Sequence, residues 1–190
     1  MSRSINLEKA VSAQSDWLDA LGLSDDAEVA GTPNRVVKFW VEKLISGYEQ
    51  DPRIVLGEPL VATSEGIVSL RGIPFHSMCP HHLVPYFGTV DIAYQPSGHI
   101  LGLGKFEQFV AACSRRLILQ EKLNEMLVDI LTSHLDARGV IIRINAQHLC
   151  FMLDGREPRQ TEITTWNASG SLTNAYALFA AGNDHSNGEA

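Results

Sequence analysis

Two short runs carry the side chains best suited to chemistry: Cys79-Pro80-His81-His82 and, far downstream, His148-Leu149-Cys150. Cys79 and His82 stand three apart, a separation at which a turn brings both to one metal ion. His148 and Cys150 stand two apart, and 148–153 reads as a strand, so both should project to one face. Two thiolates and one imidazole bind zinc and leave a fourth position for water, as a catalytic zinc requires. Zn2+ lowers the pKa of such a water toward neutrality and makes hydroxide available. The two histidines not used as ligands would carry protons at physiological pH. Spacing alone leaves two other readings open: a closed structural zinc site that uses both histidines of the pair, or two cysteines that are simply buried.

Arg35 and Lys38 stand three apart near the start of a predicted helix, so they share a face. A helix N-terminus with two cations can receive an anion, and the same pair also suits an ordinary solvated face. Cys113 falls at an apolar helical position and reads as core. His76, His99 and His185 have no partner pattern and receive no role. Gly102-x-Gly104 lacks the rest of a phosphate loop.

The elements that must position these residues are legible from periodicity. Leu7, Ala10, Val11, Trp17, Leu18 and Leu21 predict a helix over 7–21, stopped by Gly22. A second helix starts with Thr32 as N-cap and Pro33 in the first helical position, and closes at Gly47. Residues 48–66, with Pro52, Gly57, Pro59 and Gly66, read as loop. Strands follow at 67–76 and 86–95, the second ending in the turn Pro96-Ser97-Gly98. Phe106, Phe109, Val110, Cys113 and Leu117 mark one helix, and Leu123, Met126, Leu127, Ile130 and Leu131 the next. Val140, Ile142 and Ile144 then alternate, and strand signals resume at 148–153 and 161–168. A strand pair, a helix pair and a second strand pair leave open sheet edges, which copies of the chain would cover.

Composition narrows the function classes. The 190 residues are 45% hydrophobic and 19% charged, ordinary for a soluble globular protein, and their net charge of −7 offers no basic stripe for nucleic acid. No apolar run is long enough to span a membrane, and Met1–Asn6 lacks the apolar core of a signal peptide. Three cysteines without framework spacing fit a reducing compartment, so the expected location is the cytoplasm.

Longer motifs sharpen this. Residues 75–96, beginning Phe-His-Ser-Met-Cys-Pro-His-His, resemble the signature of GTP cyclohydrolase I. Gly102-Leu-Gly-Lys105, Gln147-His-Leu-Cys150, Thr32-Pro-Asn-Arg-Val36 and the stretch 116–123 containing Gln120-Glu121 are similar to further motifs of that family, in order over about residues 30–170. The resemblance implies an α+β tunnelling fold, an antiparallel β-β-α-α-β-β unit with two helices on one face, behind an N-terminal helical segment. It implies a toroidal homodecamer with active sites between subunits and a small purine as substrate. It implies Cys79, His82 and Cys150 as zinc ligands, with His81 as proton donor to the imidazole of the purine and His148 as a second acid/base group. Glu121 would anchor the guanine edge with Gln120 beside it, and Lys105, Arg35 and Lys38 would face phosphates. Glu121 otherwise reads as a solvated helix residue beside Lys122. The expected organisation is a helical segment at 1–50, a linker at 51–66, the catalytic unit at 67–181 and a disordered tail at 182–190.

Four positions depart from the family pattern. Pro80 stands for glutamate, Gly104 for serine, and Gln108 and Asp154 for arginines, the second of which contacts the triphosphate in the family. Arg156 is placed to compensate if the strand continues there. The zinc ligands, both histidines and Glu121 are kept while the phosphate grip is thinned. The expectation is therefore C8 ring opening of a guanine-like or oxidised purine with little or no phosphate. The alternatives are an ordinary GTP cyclohydrolase I making 7,8-dihydroneopterin triphosphate, and a non-catalytic purine- or pterin-binding regulator.

Overall fold

The computed structural model describes residues 4–155 and 161–177; Arg156 and the 182–190 tail lie outside them. The N-terminal part opens with α1 (Leu7–Ala20), capped by the Asn6 side chain, which accepts from the Lys9 N–H at 2.9 Å. It ends as expected, with Gly22 in the left-handed region at φ 72°. The second helix departs from expectation. Its N-cap is Gly31, at φ 73°, and Thr32 is the first residue of α2 (Thr32–Phe39). The helix then loosens into a π-turn at Trp40–Leu44 and a 3-10 turn at Ser46–Glu49 rather than running unbroken to Gly47.

The supposed loop 48–66 also holds structure. It contains α3 (Pro52–Leu56), capped by the Asp51 side chain, and β1 (Leu60–Val61). The main sheet comprises β2 (Val68–Met78), β3 (Pro85–Gln95), β5 (Gly139–His148) and β6 (Ile163–Gly170), all antiparallel in the order β2-β3-β5-β6. Between β3 and β5 lie β4 (His99–Ile100), which pairs with β1, and the helices α4 (Leu103–Ser114) and α5 (Gln120–Leu135). This is the α+β tunnelling architecture. The strand expected at 148–153 is replaced by α6 (Leu149–Met152), a single helical turn that begins as β5 ends at His148.

Both helices cover one face of the sheet. Phe106, Phe109 and Val110 of α4 and Leu123, Leu127 and Leu131 of α5 are fully buried against Ile92, Tyr94, Val140, Ile142 and Ile144. At roughly 1.5–3 kcal/mol per buried large side chain, this layer is the main source of cohesion. Cys113 is core, as expected, and burial pushes its thiol up to about 12. The opposite face is lined by Ala93, Ile141 and Leu172 and by an ion pair between Asp91 and Arg143, whose guanidinium lies 5.3 Å from the Trp166 ring centre. Asp91 also accepts from the Gly72 N–H at 2.8 Å, where a bulge interrupts the β2 register.

The N-terminal segment is fastened to the C-terminal end of α4. Arg116 donates to the carbonyls of Gly47 at 2.6 Å and Gln50 at 3.2 Å, and Gly47 N–H donates to Arg115 O at 3.0 Å. A Cβ on Gly47 would sit 2.5 Å from Ala112 O, so only glycine allows this approach. Arg116 O accepts in turn from Met78 N–H at 3.1 Å, at the end of β2. No helix among the described residues is long and apolar enough to cross a membrane.

Candidate active site

The loop between β2 and β3 begins at Cys79 and closes on itself. Cys79 N–H donates to Val84 O at 2.9 Å, Leu83 N–H donates to Cys79 O at 3.0 Å, and Leu83 holds φ 55°. That strained residue lets the chain turn within five positions and present His81 and His82 to solvent. Cys150 reaches the same place from the helical turn α6. The expected pairing of His148 and Cys150 on one strand face is therefore wrong. His148 ends the strand and Cys150 is carried by the turn beyond it.

Cys79 Sγ lies 3.7 Å from His82 Nδ1 and 3.9 Å from Cys150 Sγ, and the three ligand atoms all fall within 4.8 Å of one another. Tetrahedral zinc with bonds of about 2.3 Å to sulfur and 2.0 Å to nitrogen spaces its donors by about 3.8 Å between sulfurs and about 3.5 Å between sulfur and nitrogen. The two separations from Cys79 match those between tetrahedral corners, the third lies within 4.8 Å, and the donor set suits zinc. Burial raises the Cys79 thiol, but hydrogen bonds from the His82 ring and from the His82 and His81 N–H groups outweigh it, and the net shift is downward. Cys150 moves upward, through burial, its hydrogen bond to Cys79 and the charge there. The two thiols are thus shifted in opposite directions, and a bound cation would favour the ionised form of both.

His148 lies beside this cluster. Its ring stacks on Tyr86, its cross-strand partner, with centroids 4.4 Å apart and planes 4° from parallel. Its Nε2 is 2.7 Å from Gln120 Oε1. Burial holds its pKa below the usual imidazole value, partly offset by the charge of Glu121. Glu121 is exposed on the first turn of α5 and, with Asn124, Thr165 and Trp166, lines a polar cleft of about 340 Å³ beside β6. Glu125 lines the same cleft and is paired with the Lys122 ammonium at 2.7 Å. Gln120, by contrast, is only 1% exposed.

The expected cations are scattered. Arg35 folds back over the start of α2, donating to Ala30 O at 3.0 Å and Thr32 Oγ1 at 2.7 Å, and Lys38 lies 4.0 Å from Glu42. Lys105 donates to Val55 O at 3.2 Å from the first turn of α4. The helix runs on for ten residues before the Arg115–Arg116 end that touches Met78, about 15 Å at 1.5 Å per residue. Among the described residues no hydrogen bond or ion pair joins these cations to the cysteine cluster. Sequence reasoning passed over Tyr86, Asn124 and Thr165; only Asn124, a polar residue within the apolar stripe of α5, carried a signal.

The chain matches the model of the GTP cyclohydrolase I family over residues 10–181. It belongs to the GTP cyclohydrolase I family. GTP cyclohydrolase 1 of Wolinella succinogenes is 39% identical over 147 residues, covering 75% of this chain and 78% of that protein. The Streptococcus agalactiae protein of the same name is 38% identical over 163 residues, 84% of this chain and 87% of its own. Among solved structures, the apo form of an archaeosine synthase QueF-like protein aligns with a TM-score of 0.48 at 21% identity, over 57% of this chain and 97% of that one. Against the GTP cyclohydrolase I pattern, Pro80, Gly104, Gln108 and Asp154 are all exposed. A Cβ at Gly104 would meet nothing within 4 Å, so its missing side chain leaves open space rather than a refilled contact. Gln108 lines a cleft with Glu107 and Arg115, which keeps one cation there.

Proposed function

We propose that the chain is a zinc-dependent GTP cyclohydrolase that opens the imidazole ring of GTP at C8. The net reaction adds one water to GTP and yields formate and 7,8-dihydroneopterin triphosphate. The observation that carries this reading is the tetrahedral spacing of Cys79, His82 and Cys150 with His148 beside them. Bound zinc would supply Lewis-acid activation of water. The chain's own residues do the rest. Glu121 accepts from the N1–H and 2-amino group of guanine, and His81, exposed on the loop, gives a proton to the imidazole nitrogen that leaves C8. His148 exchanges protons at the same centre, and Arg35, Lys38 and Lys105 receive phosphates.

Because Lys105 lies along α4 from the cysteine cluster, the proposed assembly is a homodecamer in which neighbouring copies complete each site. Strands β2 and β6, at the edges of the four-stranded sheet, would pair with those copies. The reduced cysteines required for zinc suit the cytoplasm.

A second reading keeps the ring opening but changes the substrate to a guanine-type purine with fewer phosphates, ending at a ring-opened pyrimidine. Asp154 and Gln108, where the family has arginines, and Gly104, where it has serine, support it. The deciding experiment incubates zinc-loaded protein with GTP, GDP, GMP, guanosine and 8-oxoguanine. It follows formate, product mass and pterin fluorescence after oxidation. Fluorescent product from GTP supports the first reading. A non-fluorescent product one water heavier, or its deformylated form, from the less phosphorylated purines supports the second. No turnover of any purine by zinc-loaded protein refutes both in favour of a binding role.

A further inference from the structure

Gln120 and Glu121 are neighbours in sequence, yet they face different surroundings. Glu121 opens to the polar cleft, whereas both ends of the Gln120 amide are used inside the chain. Gln120 Nε2 lies 3.1 Å from Ile144 O, 3.0 Å from Ile163 O and 3.2 Å from Thr165 Oγ1, on β5 and at the start of β6. A carbonyl oxygen can only accept, so the nitrogen end of the amide must face those strands. The oxygen end is then the one turned to His148 Nε2 at 2.7 Å. An amide oxygen also can only accept, so Nε2 must carry the proton. The opposite tautomer would set two lone pairs against each other at that distance.

We infer that Gln120 is a positioning residue that locks His148 as the Nε2–H tautomer, leaving Nδ1 as the nitrogen that takes up and returns protons during ring opening. This rests on the hydrolase reading above for what the protons are used for. The contact itself is independent of that reading. Two restraints act together on the imidazole. Tyr86 fixes the ring plane by stacking, and Tyr86 is itself held by its hydroxyl, which donates to Ile118 O at 2.9 Å. Gln120 fixes the rotation within that plane and the position of the proton. A neutral amide does this without adding charge beside the thiolates, which a carboxylate in the same place would do. Because its amide is fully engaged and its surface buried, Gln120 does not contact substrate, unlike the role its place in the motif suggested.

The test has two readouts. In the first, zinc-loaded, 15N-histidine-labelled protein is examined by magic-angle-spinning NMR at a pH above the imidazole range, about 8.5, with His148→Ala assigning the signal. The expected result is a protonated Nε2 and a bare Nδ1 in the wild type, and mixed tautomers in Gln120→Met. A protonated Nδ1 in the wild type, or an unchanged spectrum in Gln120→Met, overturns the inference. The wild-type spectrum decides it even if Gln120→Met does not fold. In the second, steady-state kinetics on GTP should show kcat lowered roughly 10–100-fold in Gln120→Met, with KM within about threefold and zinc stoichiometric. Placed on His148→Ala, the same substitution should cost less than about twofold more, since the group it positions is gone. A KM raised tenfold at constant kcat, or losses that multiply, would make Gln120 a substrate contact instead. Failure of the wild type to turn over GTP would count against the substrate assignment and leave the NMR result standing.

Discussion

Replacing Glu121 by Gln is the sharpest probe of how the base is held. Glu121 is exposed, and the nearest cation in sequence, Lys122, is paired with Glu125; the charge of Glu121 also acts on the His148 ring, an influence that Gln removes as well. In the proposed role it offers two acceptor oxygens to the two donors on the guanine edge. Gln keeps one acceptor and sets its own N–H group against the other donor. One charge-assisted hydrogen bond is therefore lost outright, about 1.5–3 kcal/mol, or roughly 10–150-fold in kcat/KM. The Ala variant loses both bonds, and its penalty should be roughly twice as large in free energy. Zinc content should stay at one per chain in both, because Glu121 is not among the three donors. The decisive comparison is inosine triphosphate, which lacks the 2-amino group. Wild type should discriminate against it by about the same factor, and Glu121→Gln should handle the two nucleotides nearly alike. If Glu121→Gln matches wild type on GTP within twofold, or loses equally on both nucleotides, the carboxylate is a solvated helix residue and the base is held elsewhere.

Three further outcomes follow from the geometry. Cys150→Ala removes one tetrahedral corner, so stoichiometric zinc and purine turnover should vanish together; normal metal content by mass spectrometry would mean that another residue is the ligand. Zinc affinity, measured by chelator competition, should climb from about pH 7 to about pH 9, because binding must displace a proton from Cys150, whose pKa is raised by burial and by Cys79 beside it. An affinity flat over that range would contradict the assignment of two thiolates. Gly88→Ala would put a Cβ 2.0 Å from Asn145 O and 2.8 Å from Ala146 Cα, with only backbone to move, at an expected cost of about 3 kcal/mol or more. Thermal unfolding should shift down by several degrees, and a midpoint within about 2 °C of wild type would show that the β3–β5 pair tolerates separation.

Much of the architecture was legible because its signals are local. Apolar residues at 3.6 spacing gave α4 and α5, and β-branched and aromatic runs gave β2 and β3 to within about two residues. The Cys79-x-x-His82 pair was legible for the same reason, since one tight loop holds both. Residues 148–153 misled because His-Leu-Cys-Phe-Met-Leu is apolar almost throughout, and such a run has no period to separate strand from helical turn. The ribbon of β1 and β4 is two residues wide, below what alternation can reveal. Gln120 was placed beside Glu121 by the resemblance alone, and a polar residue at a helix start carries no local sign of burial. It is buried because carbonyls of β5 and β6, 24 and 43 residues away in the chain, are left for it to fill. Such a role is set by tertiary contact and has no local signature.

The clasp between Arg116 and the carbonyls of Gly47 and Gln50 bears on how this chain can be cut and recombined. The helices before Ser46 touch β2 through Lys43 O and His76, but Ser46–Gln50 hold the end of α4 through Arg116, whose own carbonyl accepts from Met78 on the strand that delivers Cys79. A truncation or a leader exchanged between relatives should therefore be joined before Ser46. A junction placed after Gln50 would replace the clasp along with the leader, and the defect would surface as a misplaced metal loop far from the splice.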